Sequence, residues 1–263
     1  MQTRAGTVTK VSRPFLGVGA VVLCAAVAAC QPAPPAPSPT TSSVQSGSPA
    51  PSPPDSTVTA PTGEVTAAAA PGAKTAAAAL GLLPVKGRAP MTGYSRSQFG
   101  QAWADVDRNG CDTRNDILAR DLQNVTFKPG THNCVVLTGD YVEPYTGRHV
   151  FFARSQNGPP AVEIDHVVAL GNAWQTGAQQ MDPDTRLRYA NDPLVLLAVD
   201  GPANQQKGDG DAATWLPANK GFRCSYVARQ IAIKAKYHLW VTSPEREAMV
   251  RVLSPCPDQR LPD

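Results

Sequence analysis

VEIDHVVAL at residues 162–170 and ANDPLVLLAVDGPANQQKGDGDAATW at residues 190–215 decide how the chain is read. Val162, Ile164 and the Val167-Val168 pair make a short apolar run of the kind that forms a buried strand, so Asp165 and His166 sit together where a strand gives way to a loop. Leu194 to Val199 reads as a second strand. Asp200-Gly201-Pro202 reads as a turn that opens a helix near Ala203, and this helix carries Asn204 and Lys207. The predicted order is therefore strand, Asp-His, loop, strand, turn and helix, a small ββα unit.

Those residues resemble the HNH, or ββα-metal, nuclease motif, and more narrowly the secreted actinobacterial HNH proteins related to the C-terminal domain of GmrSD-type restriction enzymes. The resemblance rests on Ile164-Asp165-His166-Val167-Val168-Ala169-Leu170, Ala190-Asn191-Asp192-Pro193-Leu194, Leu197-Ala198-Val199-Asp200 and Asn204-Gln205-Gln206-Lys207-Gly208-Asp209. It is close from Val162 to about Trp240 and looser back to about Gly87. It implies an α+β fold: a ββα-metal (HNH) nuclease core with extra helices and a β-hairpin, stapled by disulfides. It also implies Asp165 and Asn204 as metal ligands and His166 as general base.

Phosphodiester hydrolysis needs a cation for developing charge, a base for water and an anchor for phosphate. Asp165 and Asn204 offer hard oxygens suited to Mg²⁺, or Mn²⁺, that keeps some of its waters. An imidazole of ordinary pKa is at least partly neutral near pH 7, as a base must be. Lys207 is the expected phosphate contact, with a solvent-facing helix lysine as the plain alternative. One departure stands out: the middle Asn of the motif falls on Val195, which leaves Asn191 as the expected brace for the His-bearing loop.

The N-terminus predicts export. Arg4, Lys10 and Arg13 precede the apolar run Phe15 to Val27, and Val27-Ala28-Ala29-Cys30 resembles a lipobox with Cys30 as the lipidated residue, so residues 1–30 read as a lipoprotein signal peptide, with an ordinary secretory signal cut after a small-residue site as the plain alternative. Residues 31–85, dominated by Pro, Ser, Thr, Ala and Gly, predict a disordered tether. Residues 86–263 are then the nuclease-like domain, expected to act as a monomer outside the cell, anchored at the outer face of the membrane or, without the lipid, secreted. Arg4, Lys10, Arg13, Lys74, Asp55 and Glu64 fall outside it, which leaves 20 of the 24 basic and 19 of the 21 acidic residues inside. A near-neutral domain has no global footprint for nucleic acid. Phosphate binding would come from a local cluster such as Arg223, Arg229, Lys234 and Lys236, unless that run is a solvated helix face.

Cys111, Cys134, Cys224 and Cys256 are an even set in an exported chain without a C-x-x-C pair, which predicts disulfides rather than zinc. The sequence-local pairing, Cys111 with Cys134 and Cys224 with Cys256, is expected because each would staple an excursion outside the ββα core. SRSQFGQAWADV from Ser95 predicts a helix with Phe99, Ala102, Trp103 and Val106 on one side. Asp105, Asp107, Asn109 and Asp116 then follow EF-hand spacing, consistent either with structural Ca²⁺ or with a polar turn between helices. Thr126 to Phe152 predicts a β-hairpin that extends the Asp165-His166 sheet.

The sequence reading is a metal-dependent endonuclease acting on DNA, with RNA as second choice. The competing class is a non-catalytic extracellular module that binds nucleic acid or an envelope partner on the same fold.

Overall fold

A computed structural model describes residues 75–154 and 161–262; the signal peptide, Cys30 and most of the expected tether lie outside them. In chain order the elements are α1 (Ala76–Leu82), α2 (Thr113–Asp121), β1 (Gln123–Phe127), β2 (Val136–Val142), β3 (His149–Ala153), β4 (Val162–His166), α3 (Leu170–Gln175), α4 (Pro183–Ala190), β5 (Leu196–Asp200), α5 (Gly201–Lys207), α6 (Arg223–Lys236) and α7 (Ser243–Leu253). The class is α+β with small sheets.

β4 and β5 pair antiparallel, Asp165 opposite Leu197 and His166 opposite Leu196. Side chains alternate across a strand, and here both faces are covered. Val162, Ile164, Leu196 and Ala198 pack with Ile117, Leu118 and Phe152, whereas Leu197 and Val199 join the larger core of α6 and its neighbours. All five residues of β5 are buried, and four of them, Leu196 to Val199, form the unbroken apolar run that burial on both faces calls for. α5 follows directly: Asp200 caps it by accepting from the Ala203 N–H at 3.0 Å, and Pro202 sits in its first turn, where a missing N–H costs nothing.

Both disulfides join the predicted partners, Cys111 to Cys134 and Cys224 to Cys256. Three expectations are corrected. The hairpin β2–β3 does not extend the β4–β5 ribbon but forms a separate sheet in the order β1-β2-β3. Side chains rather than a strand occupy the outer edge of β5: Asp121 accepts from the Ala198 N–H at 2.8 Å, and Arg120 donates to the Leu196 carbonyl at 2.8 Å. The helix expected from Ser95 is only a single 3-10 turn, Arg96–Phe99. Gly100 takes φ +75°, and a Cβ there would meet Leu187 at 2.7 Å, so the chain must turn away at a position only glycine fills. Finally, the expected tether ends too late in the chain. Ala76, Ala79 and Leu80 of α1 are buried in the main core, so the folded part begins before residue 86.

Candidate active site

Asp165 and His166 are adjacent on β4 and therefore project to opposite faces of the ribbon. Asp165, 5 % exposed, turns toward α5. Its Oδ1 accepts from the Lys207 ammonium at 2.9 Å and its Oδ2 from the Tyr145 hydroxyl at 2.5 Å. Burial raises the carboxyl pKa, against the opposing pull of Lys207 and of the Tyr145 hydrogen bond. Burial and the Asp165 charge hold the Tyr145 phenol well above its ordinary pKa, so it stays a proton donor.

His166 has the Ala190 carbonyl 3.0 Å from Nε2 and stacks on Trp103, ring centroids 6.2 Å apart at 21°. A carbonyl only accepts, so Nε2 carries the proton and Nδ1 keeps a bare lone pair. Burial pushes the imidazole down from 6.5 to about 4; the Ala190 carbonyl opposes this, and the charges of Arg96 and Lys207 add to it. The ring is therefore a neutral base across the physiological range.

That depression has a consequence for stability. The unfolded chain protonates this imidazole near pH 6.5 and the folded chain only near 4, so unfolding takes up a proton in that window. The His166 contribution is complete above about pH 6.5 and is lost as pH falls toward 4, a loss of about 3 kcal/mol. Urea unfolding in EDTA at pH 7 and pH 4 should show a loss smaller by about that amount in His166→Gln. Equal acid losses in the two proteins would remove His166 as its source.

Asn204 is set by a residue the sequence reading passed over. Glu163 accepts from Asn204 Nδ2 at 2.8 Å and from Gln205 Nε2 at 3.2 Å. With its amide N–H committed, Asn204 has its carbonyl oxygen left as the group for a cation. Asp165, His166 and Asn204 line one cavity of about 280 Å³, together with Arg96 and Asp209. Asp209 follows Gly208, at φ +51°, and its Oδ1 accepts from the Gly171 N–H at 3.3 Å. A Cβ on Gly171 would lie 2.4 Å from the Asp209 carboxylate, so glycine is what lets α3 approach it.

Other predicted residues sit elsewhere or act differently. Lys207 is no free phosphate contact: it is 3 % exposed, lies in the last turn of α5 and donates to Asp165 and, at 3.0 Å, to the His166 carbonyl. Asn191 does not reach the loop after His166. It donates to the Leu187 carbonyl at 2.9 Å and the Gln101 carbonyl at 3.3 Å, tying the end of α4, which presents the Ala190 carbonyl, to the segment leading to Trp103. At Val195 the side chain is buried, and its carbonyl accepts from the Val167 N–H at 2.8 Å, so main chain braces the loop next to His166.

Asp105, Asp107, Asn109 and Asp116 do come together. Asn109 Nδ2 donates to Asp107 and to Asp116, each at 3.1 Å, and Asp105 accepts from the Asn109 and Gly110 N–H groups. The oxygens are linked by hydrogen bonds, and among the described residues no three His, Cys, Asp or Glu side chains form a metal-holding group.

The basic row on α6 is dismantled as well. Arg229 donates to the Leu194 and Leu196 carbonyls, Lys234 is buried against Glu245 at 3.0 Å, and Lys236 pairs with Asp192. Among the described residues Arg223 and Arg229 of that row pair with no carboxylate, and main-chain carbonyls take up Arg229, which leaves Arg223. Sequence reasoning missed Arg96, Glu163 and Tyr145; only Asp209 carried a signal, as the last residue of N-x-x-K-G-D.

Residues 112–252, more than half the chain, match the family described as GmrSD restriction endonucleases, C-terminal domain. The chain belongs to this family. The family span covers Asp165, His166, Asn204 and Asp209 but stops short of Arg96 and Trp103, which this chain adds from outside it. An uncharacterized secreted protein of Arthroderma benhamiae (strain ATCC MYA-4681 / CBS 112371) is 36 % identical over 188 residues, 71 % of this chain and 87 % of that relative. No solved structure matches the chain. Among the described residues no helix is long and apolar enough to cross a membrane.

Proposed function

We propose that the protein is a secreted, metal-dependent HNH endonuclease that hydrolyses phosphodiester bonds in DNA, with RNA the second choice of substrate. The observation that carries this reading is a single cavity lined by Asp165, His166 and Asn204 in which the tautomer of His166 is fixed by the Ala190 carbonyl. The reading includes a signal peptide at 1–30, a lipid on Cys30, an extended tether and a monomeric nuclease domain. Two disulfides, which suit an oxidising compartment, and the secreted relative support export.

The donor set fits Mg²⁺ or Mn²⁺. A carboxylate accepts about four hydrogen bonds and Asp165 receives one protein donor on each oxygen, so each oxygen retains a lone pair. The Asn204 carbonyl and the Asp209 carboxylate add hard oxygens, and Mg²⁺ is commonly held by one or two carboxylates, waters and substrate phosphate. The metal supplies charge stabilisation at the phosphate and leaving oxygen. His166 Nδ1 takes the proton of the attacking water, while Nε2 stays on Ala190 and Trp103 walls the ring. Lys207 and Tyr145 hold the Asp165 carboxylate in one orientation.

Arg96 takes the anchoring role first expected of Lys207. It lines the cavity, is exposed and forms no ion pair with a carboxylate among the described residues. A charge-assisted contact to phosphate is worth about 1.5–3 kcal/mol, so Arg96→Ala should lower kcat/KM by about 10- to 100-fold. Arg96→Lys should recover part of it, since lysine supplies charge without the fork. Wild-type kinetics in Arg96→Ala would remove Arg96 from the site.

The occupied state of both Asp165 oxygens favours one second reading, a binding module that keeps the fold without catalysis. Plasmid nicking by the purified, disulfide-bonded protein in Mg²⁺, Mn²⁺, Ca²⁺ and EDTA separates the two. Metal-dependent cleavage supports the enzyme, and nucleic-acid binding without cleavage in any metal supports the module.

A further inference from the structure

A second groove, about 470 Å³, borders the loop that follows α5. Gly208 and Asp209 of that loop line the catalytic cavity, and Ala212, Ala213 and Leu216 line the groove. Its charged lining is entirely cationic: Lys220 before α6, Arg223 at the start of α6 and Arg251 in the last turn of α7. None of the three pairs with a carboxylate among the described residues. The Pro217 carbonyl accepts from Arg223 Nε at 2.7 Å, and the Cys224–Cys256 disulfide ties the first turn of α6 to the segment beyond α7. Arg223 and Arg251 thus stand on walls joined covalently, and no carboxylate lines the groove beside them.

We propose that this groove grips backbone phosphates of the strand whose scissile bond lies in the Asp165–His166 cavity. The two sites are close enough for one strand: Asp209 and Ala212 are three residues apart, so their Cα atoms are within about 11 Å. Phosphates along one strand follow each other at about 3.4 Å of axial rise. The groove supplies the local basic surface that a near-neutral domain otherwise lacks. This inference rests on the nuclease reading for the identity of the ligand, but its test does not require catalysis.

The test uses the disulfide-bonded protein carrying His166→Ala, in EDTA, with a fluorescein-labelled single-stranded 20-mer followed by anisotropy across a NaCl series. Each neutralised phosphate contributes about 0.7 to the slope of log affinity against log salt for a single strand. Lys220→Ala/Arg223→Ala/Arg251→Ala should flatten the slope by about 2, so its deficit grows about 100-fold for each tenfold drop in salt. Arg251→Lys keeps the charge and should keep the slope. Should the triple variant unfold, Arg251→Ala, which alters one exposed side chain, should still flatten the slope by about 0.7. An unchanged slope in folded variants overturns the groove, even when the wild type cleaves. A flattened slope in a protein that cleaves nothing keeps the groove and removes the nuclease.

Discussion

His166→Gln should cut plasmid nicking by about 10²- to 10⁴-fold, the range that a positioned general base contributes. Glutamine is the informative replacement because its amide N–H can still reach the Ala190 carbonyl, 3.0 Å from Nε2 in the native site, while nothing remains to take a proton from water. His166→Ala should be equally inactive and less stable, since it also opens a gap against Trp103. The measurement is the rate of nicked-circle formation at pH 7.5 in saturating Mg²⁺, with near-UV circular dichroism reporting the fold. Undiminished nicking by a folded His166→Gln would assign the base elsewhere, and the binding module would then be the better reading of this cavity.

Lys207→Ala has its largest effect on stability rather than on substrate binding. Removing one partner of a buried ion pair leaves the other charge uncompensated, at a cost of about 3–5 kcal/mol. Here the abandoned group is the Asp165 carboxylate, left with Tyr145 alone, and the His166 carbonyl loses its donor as well. For a domain of this size about 1 kcal/mol moves Tm by about 2–4 °C, so Tm should fall by about 6–20 °C in differential scanning calorimetry. Lys207→Met/Asp165→Leu should recover much of this, because a buried pair is often replaceable by apolar residues of similar volume. A surface lysine serving only phosphate would behave otherwise: Lys207→Ala would keep its Tm and raise KM.

Local features are encoded in short stretches of the chain. Alternation in Val162–His166, the fully apolar Leu196–Val199 and the Asp200-Gly201-Pro202 helix start each encode one element, and together they put Asp165, His166 and Asn204 on consecutive parts of a ββα unit. The disulfides were legible for the same reason, since each joins cysteines 23 or 32 residues apart in sequence. How the charges are used depends instead on packing. Lys207 and Lys236 read alike in sequence, yet one is buried on Asp165 across 42 residues and the other pairs with Asp192 at the surface. Arg96 carries no motif and lies outside the family span, and reaches the cavity because Gly100, with Leu187 where a side chain would be, ends its turn. Period and turn chemistry are written residue by residue. The partner of a charge depends instead on which distant groups share its desolvated volume, and that is fixed only when the chain is packed.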